Sequence, residues 1–508
     1  MRILIAPYDG ISKNDTSKWN VDEIILRQEI NLYSFPKNEN ELLYFIPTIF
    51  NADTALEYEG VELALKLYTT ALREKFYNIK IVLVGIESCE SFMLNYSYPN
   101  ILKCPGISYI LLMKDSISIY ANPVQSINPD LAISALKNLG MRLPKSYVAN
   151  HSFTNEWCAY AWSKYMGFSC KGLSEALEST IYFNYLRTLL SNEKEGRISE
   201  TKIAEIAKLK GRILLIDDNI YWHNFFKNFF TKTNSSVIFS SVGADFRHKS
   251  IKKIIGICSE KVEEFKPDII LLDFRLLEDT DYSTTRTKIS GVQVLRELKG
   301  TPDKAGIAYG TKIIMFTATE KIEHVLALQK FGADGFLLKQ SPEQYANKPS
   351  VKESINELIM QLKDMYRCAC VSKIVCNSLN DCIELSKSYH LDIQDEIKHS
   401  AEAVQTLLQG NFYQFSRLKL LYLDYINILE VFKRFYNPQD NLKPFVENHA
   451  SNLTEWNNIA NIRNALAHGL QSTDINRIHQ EVTEDLIAKY LKILSEFTVD
   501  FIRNFSPK

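Results

Sequence analysis

The sequence predicts a fold class of α/β plus all-α: two doubly wound units with parallel sheets, then a helical bundle. Three observations predict it. Short apolar runs such as Ile79–Gly85 and Asp268–Leu272 lack polar alternation, as strands covered on both faces do. Helix-periodic segments alternate with these runs, most regularly from Gly211 onward. Past Ser350 the strand pattern stops and helical periodicity continues to the end.

Length sets the scale. At 508 residues the chain exceeds one hydrophobic core, and 46% hydrophobic with 23% charged residues is ordinary for a globular protein. Lys and Arg number 59 against 60 Asp and Glu, so no global field draws it to nucleic acid or acidic membranes. Met1–Ile5 reads as a first strand, too short and too soon interrupted for a signal peptide. No stretch is long and apolar enough to span a bilayer. Nine cysteines without paired spacing suit reduced thiols, so the expected location is the cytoplasm. Cys368, Cys370, Cys376 and Cys382 raise the question of zinc; lacking any CxxC pair, they are expected to be buried or helix-face thiols.

The chain divides by pattern at 145, 210 and 366. Residues 1–145 alternate strand-like and helix-like segments, with helical periodicity over Leu56–Phe76 before the run at 79–85. Residues 146–210 read as a helical connector, broken from the first unit at Pro144. Over 211–366 strands are expected at Arg212–Ile216, Asp268–Leu272, Lys312–Phe316 and Gly335–Leu338. Helices are expected near 350–366, 378–408, 411–435, 454–468 and 479–504, with breaks at Gly410, Asn437-Pro438 and Gly469. A weak repeat links the two α/β units: Gly60-Val61-Glu62 precedes Lys80-Ile81-Val82 much as Gly291-Val292-Gln293 precedes Lys312-Ile313-Ile314.

Chemistry gathers at the predicted strand ends of the second unit. Asp217 and Asp218, Asp273, Thr317 and Lys339 each close an apolar run, and the carboxyl ends of parallel strands share one ligand-binding edge. Three carboxylates in one cleft repel one another and call for a hard cation, for which oxygen-only ligation favours Mg²⁺. A lysine ammonium and a threonine hydroxyl complete a site for phosphate oxygens.

These residues resemble the response-regulator receiver family of two-component signalling. The resemblance implies that Asp273 accepts a phosphoryl group from a histidine kinase or phosphotransfer protein. It implies that Asp217, Asp218, Asp273 and the carbonyl of Arg275 hold Mg²⁺, that Thr317 and Lys339 bind the phosphoryl group, and that Phe336 is the aromatic switch. Three features depart from the family. Gln340-Ser341 separate Lys339 from Pro342, the segment after Asp273 is long and polar (Glu278 to Thr285), and the stretch from Phe230 to Lys266 is long. The first unit lacks the chemistry: Ala6-Pro7 stand where the acid pair would be and Gly85 where the threonine would be, with Asp9 and Asp53 nearby. It reads as a degenerate receiver.

In the tail, Arg463 and His468 flank four residues of Arg-Asn-Ala-Leu-Ala-His-Gly. A helix C-terminus accounts for this by itself, with histidine favourable to the dipole and Gly469 as cap. The motif, on the third long helix of an all-helical segment, also resembles the HEPN superfamily over about residues 378–505. Active HEPN members cleave RNA without metal at a site shared by two subunits. That implies a homodimer in which His468 acts as general base or acid, Arg463 stabilises phosphate charge, and Asn464 orients the pair. The resulting expectation is a response regulator whose output is RNA cleavage, in stress response or phage defence.

The competing readings are a non-enzymatic adaptor, whose tail only dimerises or binds a partner protein, and a phosphotransfer bundle carrying phosphate on His390 or His399. Neither a membrane segment nor a helix-turn-helix for sequence-specific DNA is evident. His151 and Glu156 are explained as a helix start near Thr154-Asn155. Trp157, Tyr160, Trp162 and Tyr165 suit a core or an interdomain surface.

Overall fold

A computed structural model describes residues 1–6, 16–26, 40–50, 58–96, 99–112, 125–139, 141, 151–169, 172–173, 181–192, 197–277, 281, 288–301, 304–308, 310–317, 328–339, 351–388, 391–436, 453–467 and 483–504. The chain forms two compact units, one made mainly of residues 1–197, the other of 198–340 and 349–508.

The first unit is built on β1 (Arg2–Ala6), β2 (Glu23–Leu26), β3 (Leu42–Pro47), β4 (Ile79–Gly85) and β5 (Ile107–Leu111). Their order is β2-β1-β3-β4-β5, and every pair is parallel. Leu42-Leu-Tyr-Phe-Ile is buried throughout, because helices cover both faces of a parallel sheet. Helix α1 (Glu59–Arg73) buries Val61, Ala64, Leu65, Tyr68 and Leu72. After α2 (Cys89–Asn95) and α3 (Pro129–Leu139) come α4 (His151–Met166) and α5 (Ile181–Asn192), which fall in the segment read as a connector. Helix α5 packs on α1, and the Thr188 hydroxyl donates to the Thr69 carbonyl at 3.0 Å. Trp157 and Trp162 are fully buried, and Trp157 meets Phe183 edge-on at 5.7 Å.

The second unit opens with α6 (Glu200–Ala207), capped by the Ser199 hydroxyl. Its sheet comprises β6 (Lys210–Ile216), β7 (Ser236–Val242), β8 (Ile269–Asp273), β9 (Lys312–Thr317) and β10 (Gly335–Leu338). The order β10-β9-β8-β6-β7, again all parallel, repeats the order of the first sheet. Helices α7 (Ile220–Lys232), α8 (Ile251–Phe265) and α9 (Ser290–Lys299) flank it. Phe225, Phe226, Phe229 and Phe230 on α7 are buried, and Phe226 meets Phe239 of β7 and Phe316 of β9.

The tail comprises α10 (Val351–Ser386), α11 (Leu391–Leu407), α12 (Phe415–Tyr436), α13 (Leu453–Ala467) and α14 (Glu484–Asn504). Separate helices at 350–366 and 378–408 are not found: α10 runs unbroken through 36 residues. No glycine or proline interrupts that stretch, and the break falls instead after Ser386. Cys368, Cys376 and Cys382 face the bundle core with Leu379, Tyr422, Trp456 and Leu491. Burial pushes the Cys382 thiol up to about 12, which keeps it protonated and inert.

The tail meets the sheet at the edge where the strands begin. Lys373 of α10 pairs with Asp268 at 2.7 Å, and Lys312, first residue of β9, donates to the Gly410 carbonyl at 3.3 Å. Asp334, just before β10, accepts from the Gly410 amide at 2.9 Å. No helix among the described residues is long and apolar enough to cross a membrane.

Candidate functional site

The opposite edge carries the predicted constellation. Parallel registry pairs Ile216 with Leu272, Phe316 with Asp273 and Thr317 with Leu338, so the strand ends advance together. Asp217 and Lys339 are the next residues beyond their strands, while Asp273 and Thr317 are the last in theirs. All four side-chain-bearing positions are buried.

Lys339 lies between two carboxylates. Its Nζ is 2.7 Å from Asp217 Oδ2 and 2.8 Å from Asp273 Oδ1, with no side-chain exposure on any of the three. Burial alone would lower the Lys339 ammonium, but Asp217 and Asp273 hold it above its usual value. Trp222 and Phe316 close over it, their ring centres 5.6 and 4.7 Å from Nζ. In so dry a place two ion pairs survive only because the ammonium serves both carboxylates. Backbone donors take the remaining lone pairs: Asn219 N–H to Asp217 Oδ1 at 2.9 Å, and Arg275 N–H to Asp273 Oδ2 at 3.1 Å.

Asp218 is the charge left over. Its Oδ1 is buried with no hydrogen-bond partner among the described residues, and burial, reinforced by Asp217 and Asp273, pushes its carboxyl up to about 8. A hard cation would relieve this, and three carboxylates with the Arg275 carbonyl form an oxygen-only donor set suited to Mg²⁺. The donor chemistry therefore fits. The side-chain arrangement is that of a lysine-bridged pair: no three acidic, histidine or cysteine side chains among the described residues are drawn together at metal-ligand spacing. Holding Mg²⁺ would require Asp217 or Asp273 to turn partly from Lys339.

Thr317 is buried, and its carbonyl accepts the Lys339 amide at 2.7 Å. Phe336 is half-buried against the sheet core, its carbonyl accepting from Gln361 of α10 at 2.6 Å. The segments 278–280, 282–287, 318–327 and 340–350 lie outside the described residues, including Gln340-Ser341-Pro342 and most of the polar stretch after Asp273.

Several supporting residues escape sequence reading. Asp281, inside that polar stretch, is buried; it accepts from the Ser290 amide at 2.9 Å and the Leu277 amide at 3.2 Å, and binds the Ser290 hydroxyl. Ser290 Oγ in turn accepts from Leu276 N–H at 2.7 Å, which fixes the chain just after Asp273. The only sequence signal is an acidic residue upstream of a serine that opens a helix. His223 Nε2 lies 2.6 Å from the Asp217 carbonyl oxygen. Gly243, at φ +126°, lies so close to Asp217 that an added Cβ would meet its carbonyl oxygen at 2.3 Å.

In the first unit the described part of the corresponding edge carries a tyrosine and a glutamate instead. The Tyr109 hydroxyl lies over Gly85, where a Cβ would meet it at 1.7 Å, and donates to the Glu87 carbonyl at 2.8 Å. Glu87 accepts from the Tyr58 and Ser91 hydroxyls at 2.7 and 2.6 Å. Pro7, Asp9 and Asp53 lie outside the described residues, whereas Ala6 ends β1.

In the tail, Ile462 and Leu466 of α13 are buried and Asn464 is half-buried. The Arg463 side chain is 42% exposed, with Nη2 3.9 Å from Glu430 Oε1. His468 and His390 lie outside the described residues; His399 is exposed on α11. Of the connector residues, Asn155 is buried and Glu156 half-buried on α4, while the side chains of His151 and Thr154 lie outside the described set.

No family model and no curated protein matches the sequence. Among solved structures, the chain is similar to the signal receiver domain of a protein described as a Luxo repressor from Vibrio parahaemolyticus, at 20% identity over 31% of this chain and 93% of that one, with a TM-score of 0.21. It is also similar to a protein described as a two-component system response regulator/GGDEF domain protein, at 12% identity over 72% of this chain and 98% of that one, with a TM-score of 0.20.

Proposed function

We propose that residues 211–366 form a phosphoryl-accepting receiver and that the helical tail from 367 to 508 is its output. One observation carries this: Lys339 joins Asp217 and Asp273 at the carboxyl edge of a parallel sheet of order β10-β9-β8-β6-β7. An Asp273 oxygen attacks the phosphorus of a phosphohistidine on a partner kinase or phosphotransfer protein. A P–O bond forms as the P–N bond breaks, and the imidazole leaves with its electron pair. Asp217, Asp218, Asp273 and the Arg275 carbonyl would hold Mg²⁺, which supplies charge neutralisation on the transferred group. Lys339, released from Asp273, pairs with the phosphoryl oxygens; Thr317 binds another, and Phe336 follows it inward.

For the output we favour metal-independent RNA cleavage by a homodimer, with Arg463, Asn464 and His468 at the subunit boundary. Half-exposure of Arg463, whose contact among the described residues is a long one to Glu430, supports a side chain available to a phosphate. The alternative, a non-enzymatic adaptor, is supported by the closely packed bundle, in which Trp456, Ile459, Ile462 and Leu466 commit one face of α13 to the core. The first unit serves as a receiver without phosphoryl chemistry. The receiver reading is tested by labelling the full chain with acetyl phosphate in Mg²⁺: Asp273→Asn should abolish it, and undiminished labelling would sink the assignment.

A further inference from the structure

Arg296, Lys299, Lys312 and Lys330 line a cavity of about 510 Å³ where α9 and the beginnings of β9 and β10 meet α11. It lies at the edge of the sheet remote from Asp273, and the phosphotransfer chemistry makes no use of it. Its carboxylates are Asp334 and Glu402. Asp334 is buried and shared by the Lys299 and Lys312 ammoniums, so its single charge answers two cations. Lys312 also donates to the Leu408 and Gly410 carbonyls, which spends it on the end of α11. Arg296 and Lys330 remain at the rim: both are exposed, and Arg296 lies over the Phe331 ring at 5.3 Å. Among the described lining residues, four cations stand against two carboxylates, which makes this lining positive.

The two walls differ. The sheet side supplies the cations, while α11 supplies Glu402, Gln405 and Thr406, groups able to hydrogen-bond a neutral polar ring. The volume falls within the roughly 300–1,000 Å³ of small-molecule sites. An inorganic ion would engage one wall only. A ligand with an anionic end and a hydrogen-bonding end answers both.

We propose that this cavity binds a nucleoside phosphate, its phosphate on Arg296, Lys330 and Lys299 and its nucleoside toward Glu402, Gln405 and Thr406. The ligand would bridge the sheet and the tail, and so would be felt by both.

Calorimetric titration of the full chain in EDTA tests this, with ADP, GDP and UDP as probes and pyrophosphate and adenosine as controls. The expected result is saturable one-to-one binding of at least one nucleoside diphosphate, with both controls weaker. Arg296→Glu combined with Lys330→Glu should weaken that binding by at least about tenfold, through loss of charge-assisted contacts. Both side chains are exposed, so an unchanged melting temperature would show the double variant folded; if it does not fold, Glu402→Gln, altering which base binds best, serves instead. Absence of saturable binding by all three probes overturns the proposal. So does pyrophosphate binding as tightly as the nucleotides, or nucleotide binding indifferent to all these substitutions.

Discussion

Gly60 and Gly291 hold the same position in the two sheets. Each is the second residue of the helix following the third strand, and each lies against the carbonyl of that strand's last residue. A Cβ on Gly60 would come within 1.6 Å of the Pro47 oxygen, and one on Gly291 within 2.2 Å of the Asp273 oxygen. The correspondence places Pro47 where the second unit has Asp273. Among the described residues, the first unit thus keeps the strand order of the second without a carboxylate at the end of its third strand.

Substitution of these glycines should therefore have separable effects. Gly291→Ala forces the helix away from Asp273, which should cost about 1–3 kcal/mol or more and depress acetyl phosphate labelling. Gly60→Ala should destabilise the first unit comparably and leave labelling intact. Thermal denaturation with parallel labelling of both variants is the check; loss of labelling in Gly60→Ala would contradict the assignment of roles.

Lys339 should matter to stability as well as to chemistry. Lys339→Met leaves Asp217 and Asp273 buried without their shared ammonium, and breaking a buried pair from one side typically costs about 3–5 kcal/mol. Mg²⁺ should recover part of that loss, because a cation can take over the neutralisation. Denaturant titrations in EDTA and in Mg²⁺ read both effects. A variant as stable as wild type in EDTA would show that the bridge contributes little.

The positions of Asp217, Asp218, Asp273, Thr317 and Lys339 were legible because each follows an apolar run and parallel strands share one carboxyl edge. Edge strand β7 was not legible. Its serines and its 54% exposed Ile238 remove the buried-strand signature that a two-sided cover gives the central strands. The break placed between 366 and 378 had no glycine or proline behind it, and helix α10 runs through. The charges of Lys312, Asp334 and Lys299 drew no reading from the sequence, since sequence pattern does not distinguish a buried ion cluster from a surface one. The tail packs against the cluster, Lys312 donating to the Leu408 and Gly410 carbonyls and Asp334 accepting from the Gly410 amide.

That cluster gives a pH-dependent prediction. Burial would raise the Asp334 carboxyl, but Lys299 and Lys312 hold it below its ordinary value. A carboxylate depressed by folding adds stability that is present above its unfolded pKa, about 3.9, and is lost as pH falls through the lower folded value. Asp334→Asn should lose this term, so the wild-type advantage should be large at pH 7 and shrink on acidification below about 4. Loss of the carboxylate between two ammoniums should cost about 3–5 kcal/mol at neutral pH. Unfolding free energies of both proteins from pH 7 downward provide the measurement, and a difference independent of pH would refute the ion-pair account.

The tail makes the last prediction. One guanidinium and one imidazole are a poor nuclease; two sets related by a two-fold axis can supply base, acid and charge stabilisation together. Arg463→Ala, Asn464→Ala and His468→Ala in the full chain should each lower RNA cleavage by about 10²-fold or more if the groups act in the transition state. The Arg463 and Asn464 changes should scarcely affect stability: the first side chain is 42% exposed, with a 3.9 Å contact to Glu430 among the described residues, and the second is half-buried beside it. EDTA should leave cleavage unchanged. A helix-cap role for the motif predicts the opposite pattern: no cleavage to lose, and about 0.3–1 kcal/mol of stability forfeited when the histidine charge is removed from the helix end. Cleavage and chemical denaturation of the same three variants separate the two. A mixed dimer, in which Arg463→Ala and His468→Ala chains restore activity on being combined, would further require that the two subunits share one site.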